Sequence, residues 1–213
     1  MKTSDRGILT VVSGFAGTGK GTVVKELCRR YPEEFVLSVS ATTRSPRPGE
    51  QDGREYFFKT KEAFEEMIRQ EELLEYADYV GNYYGTPRSY VEEQLSQSRN
   101  VILEIEIMGA YQIKKIFPEA LLIFIAPPSA RELQKRLIGR NTETPDVIAR
   151  RLSRACEEAS ECSGYDFLLI NDQVDTCVED LARIVRMQKM AMGRNLAFLH
   201  DFEKELSTIL KKS

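Results

Sequence analysis

Two apolar spacings alternate along this chain. Predominantly apolar runs occur at Ile8 to Val12, Phe35 to Ser40, Val101 to Ile107, Ala120 to Ala126 and Tyr165 to Asp172. Runs of that length and uniformity predict strands buried on both faces, as in a parallel sheet. Between them, apolar residues recur every three to four positions. Gly21 to Arg30 reads as a helix ended by Tyr31-Pro32, and Arg88 to Ser98 as one begun by Pro87. Gly109 to Phe117 is a helix stopped by Pro118, Ser129 caps another, and Thr144-Pro145 starts a further one. Val174 to Met192 closes the series. This βα alternation predicts an α/β core of parallel sheet flanked by helices. It is interrupted once. Glu55 to Lys59 and Leu73 to Val80 read as strands around a helix capped by Thr60, with Phe64, Met67 and Ile68 as its stripe, which predicts a small inserted lobe. Beyond Gly193, Leu196, Leu199, Phe202, Leu206 and Ile209 mark an extra helix expected to pack on the core or on another subunit, making a homo-oligomer.

Composition narrows the class. With 213 residues, 42% of them hydrophobic, one substantial core with small appended lobes is expected. Thirty basic and 33 acidic residues give a net charge of −3, which argues against a nucleic acid polymer as partner. The N-terminal stretch 1–7 has no apolar core of signal-peptide length and no segment approaches a membrane span, so a cytoplasmic protein away from membranes is expected. Cys28, Cys156, Cys162 and Cys177 lack metal-site spacing and read as buried or half-buried thiols, while Met187, Met190 and Met192 read as core filler.

The chemistry concentrates after the first strand. Gly14, Phe15, Ala16, Gly17, Thr18, Gly19, Lys20, Gly21 and Thr22 form a glycine-rich loop opening onto a helix. Backbone N–H groups in such a loop curl around phosphate, the helix dipole points at the same place, and Lys20 adds a mobile charge. Gly21 stands where a Walker loop has a metal-facing hydroxyl, leaving Thr22 as the candidate. In the loop after the second strand, Arg44 and Arg47 flank the rigid Pro46 and suit a phosphate dianion, unless both are simply solvated. Glu104 and Glu106 are two apart in their strand and so point to the same side; Mg²⁺, Lys20, arginines or base N–H groups would answer them, or the strand is an edge with one wet face. Arg136, Arg140, Arg150, Arg151 and Arg154 surround a helix break and form either a basic flap over polyphosphate or a helical surface salt-bridged to Glu157, Glu158 and Glu161.

Over nearly its whole length, up to the extra helix, the chain resembles the guanylate kinase family. The resemblance rests on Gly14 to Thr22, on Ser38 to Glu50 with its Thr-Thr-Arg-Ser-Pro-Arg-Pro-Gly-Glu run, on Gly-Asn-Tyr-Tyr-Gly-Thr at 81–86, on Ile123 to Ser129, and on Arg140-Asn141-Thr142-Glu143-Thr144. It implies a P-loop kinase core (about 7–39, 87–135 and 155–193), a nucleoside-monophosphate-binding lobe (about 40–86), an arginine-bearing lid (about 136–154) and a C-terminal helix (about 195–211). It also implies Mg²⁺-dependent transfer of the ATP γ-phosphoryl to GMP or dGMP. By resemblance Arg44, Arg47, Tyr56 and Tyr84 would meet the GMP phosphate, and Ser40, Glu75, Thr86 and Glu106 the guanine. Arg136, Arg140 and Arg151 would neutralise the transferring phosphoryl with Lys20 and Arg44, Glu104 would hold Mg²⁺ or its waters, and Asn171 would lie near the adenine. Glu106 replaces the family's usual aspartate. Guanylate-kinase-like modules that bind phosphopeptides are the rival class, as is a kinase of another small phosphorylated acceptor; the intact glycines and Lys20 favour the enzyme.

Overall fold

A computed structural model of the chain describes residues 6–79, 81–139 and 144–211. Its core is a five-stranded sheet in the order β2 (Phe35–Leu37), β7 (Asn100–Glu104), β1 (Leu9–Gly14), β8 (Leu121–Ala126) and β9 (Phe167–Ile170), with every pairing parallel. Helices cover both faces. One face packs Val12, Ile102, Ile123 and Ile125 against α1 (Lys20–Arg30) and α7 (Val174–Gln188). The other packs Val11, Leu103 and Leu122 against α3 (Arg88–Ser96) and α4 (Ile107–Ile116). Alternate residues of each strand thus enter opposite cores, which is why the runs read as predominantly apolar. α5 (Ala130–Gly139) and α6 (Pro145–Glu161) form a third cluster through Leu133, Leu137 and Ala155, and Phe15 of the glycine loop packs into it.

The inserted region forms its own four-stranded sheet, ordered β4 (Tyr56–Phe58), β3 (Ser40–Thr42), β6 (Asn82–Pro87), β5 (Leu73–Tyr79), with α2 (Lys61–Arg69) beside it. The run Phe35 to Ser40 is therefore not one strand. Phe35–Leu37 pairs with β7 and Ser40 already pairs with Tyr56, so the chain passes from one sheet to the other at Ser38-Val39.

Three further expectations change. The run Val101 to Ile107 ends as a strand at Glu104, and Glu106 becomes the N-cap of α4, so the two carboxylates do not share a strand face. Ser13 Oγ donates to the Ile105 carbonyl at 2.7 Å and fixes this turn off the sheet. Met187, Met190 and Met192 are exposed, as is Cys156. α8 (Leu196–Leu210) has no buried residue, so it does not pack on the core of its own chain. Among the described residues no helix is long and apolar enough to cross a membrane.

Gly14 is where β1 most needs glycine: its φ is 154°, and a Cβ would lie 2.1 Å from the Ile125 carbonyl oxygen of β8. Gly14→Ala combines a strained backbone, about 1–3 kcal/mol, with overpacking of about 1–3 kcal/mol. The melting temperature is expected to fall by roughly 5–15 °C for a chain of this size. A drop within about 2 °C in a calorimetric scan would show that β1 and β8 part freely here.

Candidate active site

The glycine loop joins β1 to α1 at the carboxyl end of the sheet, where open α/β sheets bind ligands. Gly17 and Gly19 have φ of 91° and 87°, and Gly19 is the N-cap of α1. Lys20 Nζ donates to the Gly14 carbonyl at 2.5 Å and to the Phe15 carbonyl at 3.3 Å, arching back over its own loop. The pocket so formed, about 410 Å³, is lined by Ala16, Gly17, Gly19 to Thr22, Lys25, Glu104 and Arg151. Backbone donors, two lysines and an arginine face one carboxylate there, a site built for a polyanion with a cation beside it.

Glu104 is open to this pocket, yet the surrounding protein displaces enough water to raise its carboxyl above the usual value, against the pull of Lys20 and Lys25. A Cβ on Gly21 would sit 3.5 Å from both Glu104 oxygens. The missing side chain therefore leaves that carboxylate clear, with Thr22 lining the same pocket. No cluster of three metal-ligating side chains occurs among the described residues. Glu104 with Thr22 beside it could hold a divalent metal ion that keeps most of its shell for water and substrate phosphate.

Arg44 is preformed. Glu50 takes its guanidinium in two parallel bonds of 3.0 Å, and its Nη1 also donates to the Ser45 carbonyl at 2.8 Å. The turn Arg47-Pro48-Gly49-Glu50 makes this possible. Glu50 N donates to the Arg47 carbonyl at 3.0 Å with Gly49 at φ 88°, and the Arg47 N–H returns to Glu50 Oε2 at 2.7 Å. Arg44 lies over the Tyr56 ring at 5.3 Å, and Tyr56 meets Tyr84 edge-on at 6.0 Å. The Tyr56 hydroxyl is raised above its ordinary value by burial first and then by Tyr84, with Arg44 opposing and Glu104 also within electrostatic reach.

Glu75 and Thr86 occupy neighbouring strands of the second sheet, and both are buried. Thr86 Oγ1 donates to Glu75 Oε1 at 2.6 Å. The other oxygen, Oε2, lies beside the first turn of α4, 3.2 Å from where a Cβ on Gly109 would be. The positive end of α4 offsets the buried charge, but desolvation still holds the Glu75 carboxyl above its ordinary value, with the Thr86 bonds opposing. Glu106 caps the same helix and is exposed. Ser40, half-buried, is on the adjoining strand β3.

The arginines of α5 and α6 divide between the two readings. Arg151 reaches the glycine-loop pocket. Arg154 instead bridges Glu157 at 3.1 Å and Glu158 at 3.3 Å, as a salt-bridged helical surface requires. Arg136 bonds Glu132 at 2.9 Å and donates through Nη1 to the Asn171 carbonyl at 3.0 Å and the Thr18 carbonyl at 3.4 Å. Arg140 lies outside the described residues, and Arg47 is exposed.

Two features were not readable from the sequence. Asn171 is buried, and its Nδ2 donates to the Thr18 carbonyl at 2.7 Å, so the end of β9 clamps the glycine loop. Glu158 is buried rather than on the surface, its carboxyl raised by burial and by Glu106. Its sequence signal points to the surface, because it stands four residues after Arg154, and that pair does form at 3.3 Å.

A phosphate-cradling glycine loop at the end of a parallel sheet, in a chain whose second sheet carries a preformed arginine and a buried carboxylate, is the arrangement of a P-loop phosphotransferase. A family model for guanylate kinase matches residues 6–188. A guanylate kinase of Bacillus cereus is 55% identical over 182 residues, 85% of this chain and 89% of that protein. One from Streptococcus thermophilus is 49% identical over 206 residues, 96% of this chain and 99% of its own length. The crystal structure of guanylate kinase from Anaplasma phagocytophilum superposes with a TM-score of 0.71 at 30% identity, covering 90% of this chain and 91% of that one. The chain belongs to the guanylate kinase family.

Proposed function

We propose that the protein transfers the γ-phosphoryl group of ATP to the phosphate of GMP or dGMP, giving ADP and GDP or dGDP. The observation that carries this reading is that one chain holds both an intact glycine loop with Lys20 and a buried Glu75 oriented by Thr86. The first suits a polyphosphate. The second suits guanine, whose N1–H and 2-amino group are adjacent donors that a carboxylate accepts together and that adenine lacks.

In this reading residues 40–86 bind the acceptor and residues 136–154 act as the lid. Arg44, held by Glu50, grips the acceptor phosphate with Arg47, Tyr56 and Tyr84, while Ser40, Thr86 and Glu106 complete the base site with Glu75. The loop N–H groups and Lys20 hold the donor phosphates, and Arg136, Arg140 and Arg151 offset charge as the phosphoryl group passes across. Asn171 keeps the loop in shape beside the adenine. Glu104 and Thr22 would hold Mg²⁺. Bound with ATP, that ion supplies charge neutralisation on the β- and γ-phosphate oxygens. The acceptor is already a phosphate anion, so no strong base is needed and catalysis rests on alignment and charge.

A coupled assay for ADP with Mg-ATP and GMP, dGMP, AMP, CMP or UMP tests the proposal. Turnover confined to the two guanine nucleotides is expected. Binding of GMP without turnover of any acceptor in the panel would overturn the enzyme in favour of a binding module.

A further inference from the structure

The helix α8 lies wholly beyond the matched family region and is exposed along its whole length. Its start is tied down: Arg194 Nη2 donates to the Arg6 carbonyl at 2.8 Å, and Asn195 Nδ2 donates to the Ala191 carbonyl at 2.8 Å and the Lys189 carbonyl at 3.1 Å. Beyond that root its support among the described residues is mostly internal. It has no side-chain N-cap bond, Phe198 and Phe202 stack on each other at 6.1 Å, Thr208 Oγ1 donates to the Lys204 carbonyl at 2.9 Å, and His200 Nδ1 stands 4.0 Å from a Glu203 oxygen. A helix of 15 residues is marginal in water on its own and draws its stability from packing an apolar face. The face is present. Leu199, Phe202, Leu206 and Ile209 follow a 3-4-3 spacing and are 43 to 55% exposed, with Leu196, Phe198 and Leu210 widening the stripe.

We propose that this face is a self-association surface, and that the α8 helices of two copies pair in parallel along Leu199, Phe202, Leu206 and Ile209. The spacing is that of a and d positions in two heptads, a seam that complements itself. Charge selects the direction. Glu203 and Glu205 then occupy e and g positions. An antiparallel pair would set Glu203 against the partner's Glu203 and Glu205 against the partner's Glu205, because e meets e and g meets g. A parallel pair sets Glu205 beside the partner's Leu210 and Glu203 beside the partner's Phe198, with no like charges opposed. Area sets the strength. With side chains of about 150–200 Å², at most roughly 600 Å² leaves water on each copy, and only when Leu196, Phe198 and Leu210 are covered together with the four seam residues. About 1,200 Å² in total is the lower bound of a stable interface, so the pair is expected to dissociate in the micromolar range. The inference is independent of the phosphotransferase reading, since α8 carries none of the proposed site residues.

Sedimentation velocity of the full chain from about 1 to 100 µM, compared with Phe202→Glu and Lys204→Glu, tests it. The wild type and Lys204→Glu, at an outward f position, are expected to reach at least twice the chain mass. Phe202→Glu should stay monomeric, with unchanged turnover and, at concentrations low enough that the wild type is also monomeric, an unchanged melting curve. A wild type that is monomeric throughout would overturn the proposal, and so would a Phe202→Glu variant that still associates. Direction is read from Leu206→Cys oxidised with diamide and mapped by peptide mass spectrometry. A 206-to-206 disulfide is expected, and its absence from a protein that still associates would overturn the parallel seam.

Discussion

Lys20→Ala is expected to lower kcat by about a thousandfold or more while leaving GMP affinity within a few-fold of wild type. The size follows from what a preorganised cation does at a transferring phosphoryl group: removing one such charge or donor costs about 10²–10⁵ in rate. The selectivity follows from position. Lys20 arches over the Gly14 and Phe15 carbonyls at the mouth of the glycine loop, whereas Glu75, Thr86 and Arg44 belong to the second sheet and its arginine loop. The loop keeps its form without the lysine, because Asn171 Nδ2 and Arg136 Nη1 hold the Thr18 carbonyl from the other side. Coupled-assay turnover and calorimetric titration with GMP read the two effects separately. A folded Lys20→Ala protein that no longer binds GMP would show that the two halves of the cleft are not independent.

What the sequence disclosed was what is local. The glycine loop is one contiguous stretch whose geometry, strand then turn then helix, is written in neighbouring residues, and Gly17 and Gly19 do adopt the positive φ the loop requires. The turn that lets Glu50 hold Arg44 is likewise confined to Arg47-Pro48-Gly49-Glu50. Errors arose where distant contacts decide. Ile105 and Ile107 continue the apolar run of β7, so nothing local separates Glu104 from Glu106; the Ser13 hydroxyl, 92 residues away, ends the strand by taking the Ile105 carbonyl. The passage between sheets at Ser38-Val39 carries no glycine or proline, because the chain changes partners there without reversing. The Asn171 clamp on Thr18 spans 153 residues and has no local signature at all. For α8 the stripe was legible, but a stripe states only that something covers it.

Glu75→Gln carries the second large effect, expected to lower kcat/KM for GMP by about 10²–10³-fold and to narrow discrimination against AMP. Thr86 Oγ1 donates to Glu75 Oε1, and that bond orients the carboxyl and survives in glutamine. The amide –NH₂ then replaces Oε2, the oxygen beside the first turn of α4. It meets guanine's donors with a donor, and it offers the N1 of adenine a bond that the carboxylate cannot give. Each bidentate reading is worth about 1–3 kcal/mol, and a mismatched buried polar group multiplies the penalty. Burial holds the Glu75 carboxyl above its ordinary value, so the folded protein keeps this proton at pH values where the unfolded chain has lost it. The group's stabilising contribution is therefore full below the unfolded value and is lost as pH rises through the folded one. Guanine reverses the preference, because its N1–H and 2-amino group bond the ionised form. GMP affinity is accordingly expected to rise with pH across the window just above the ordinary carboxylate range, with a proton released on binding. The GMP phosphate titrates in both proteins, so the test is the difference between wild type and Glu75→Gln in calorimetric titrations from pH 5 to 7 in buffers of different ionisation enthalpy. Wild type should release more protons than the variant, and equal release would place recognition of the base on Glu106 or Ser40 instead.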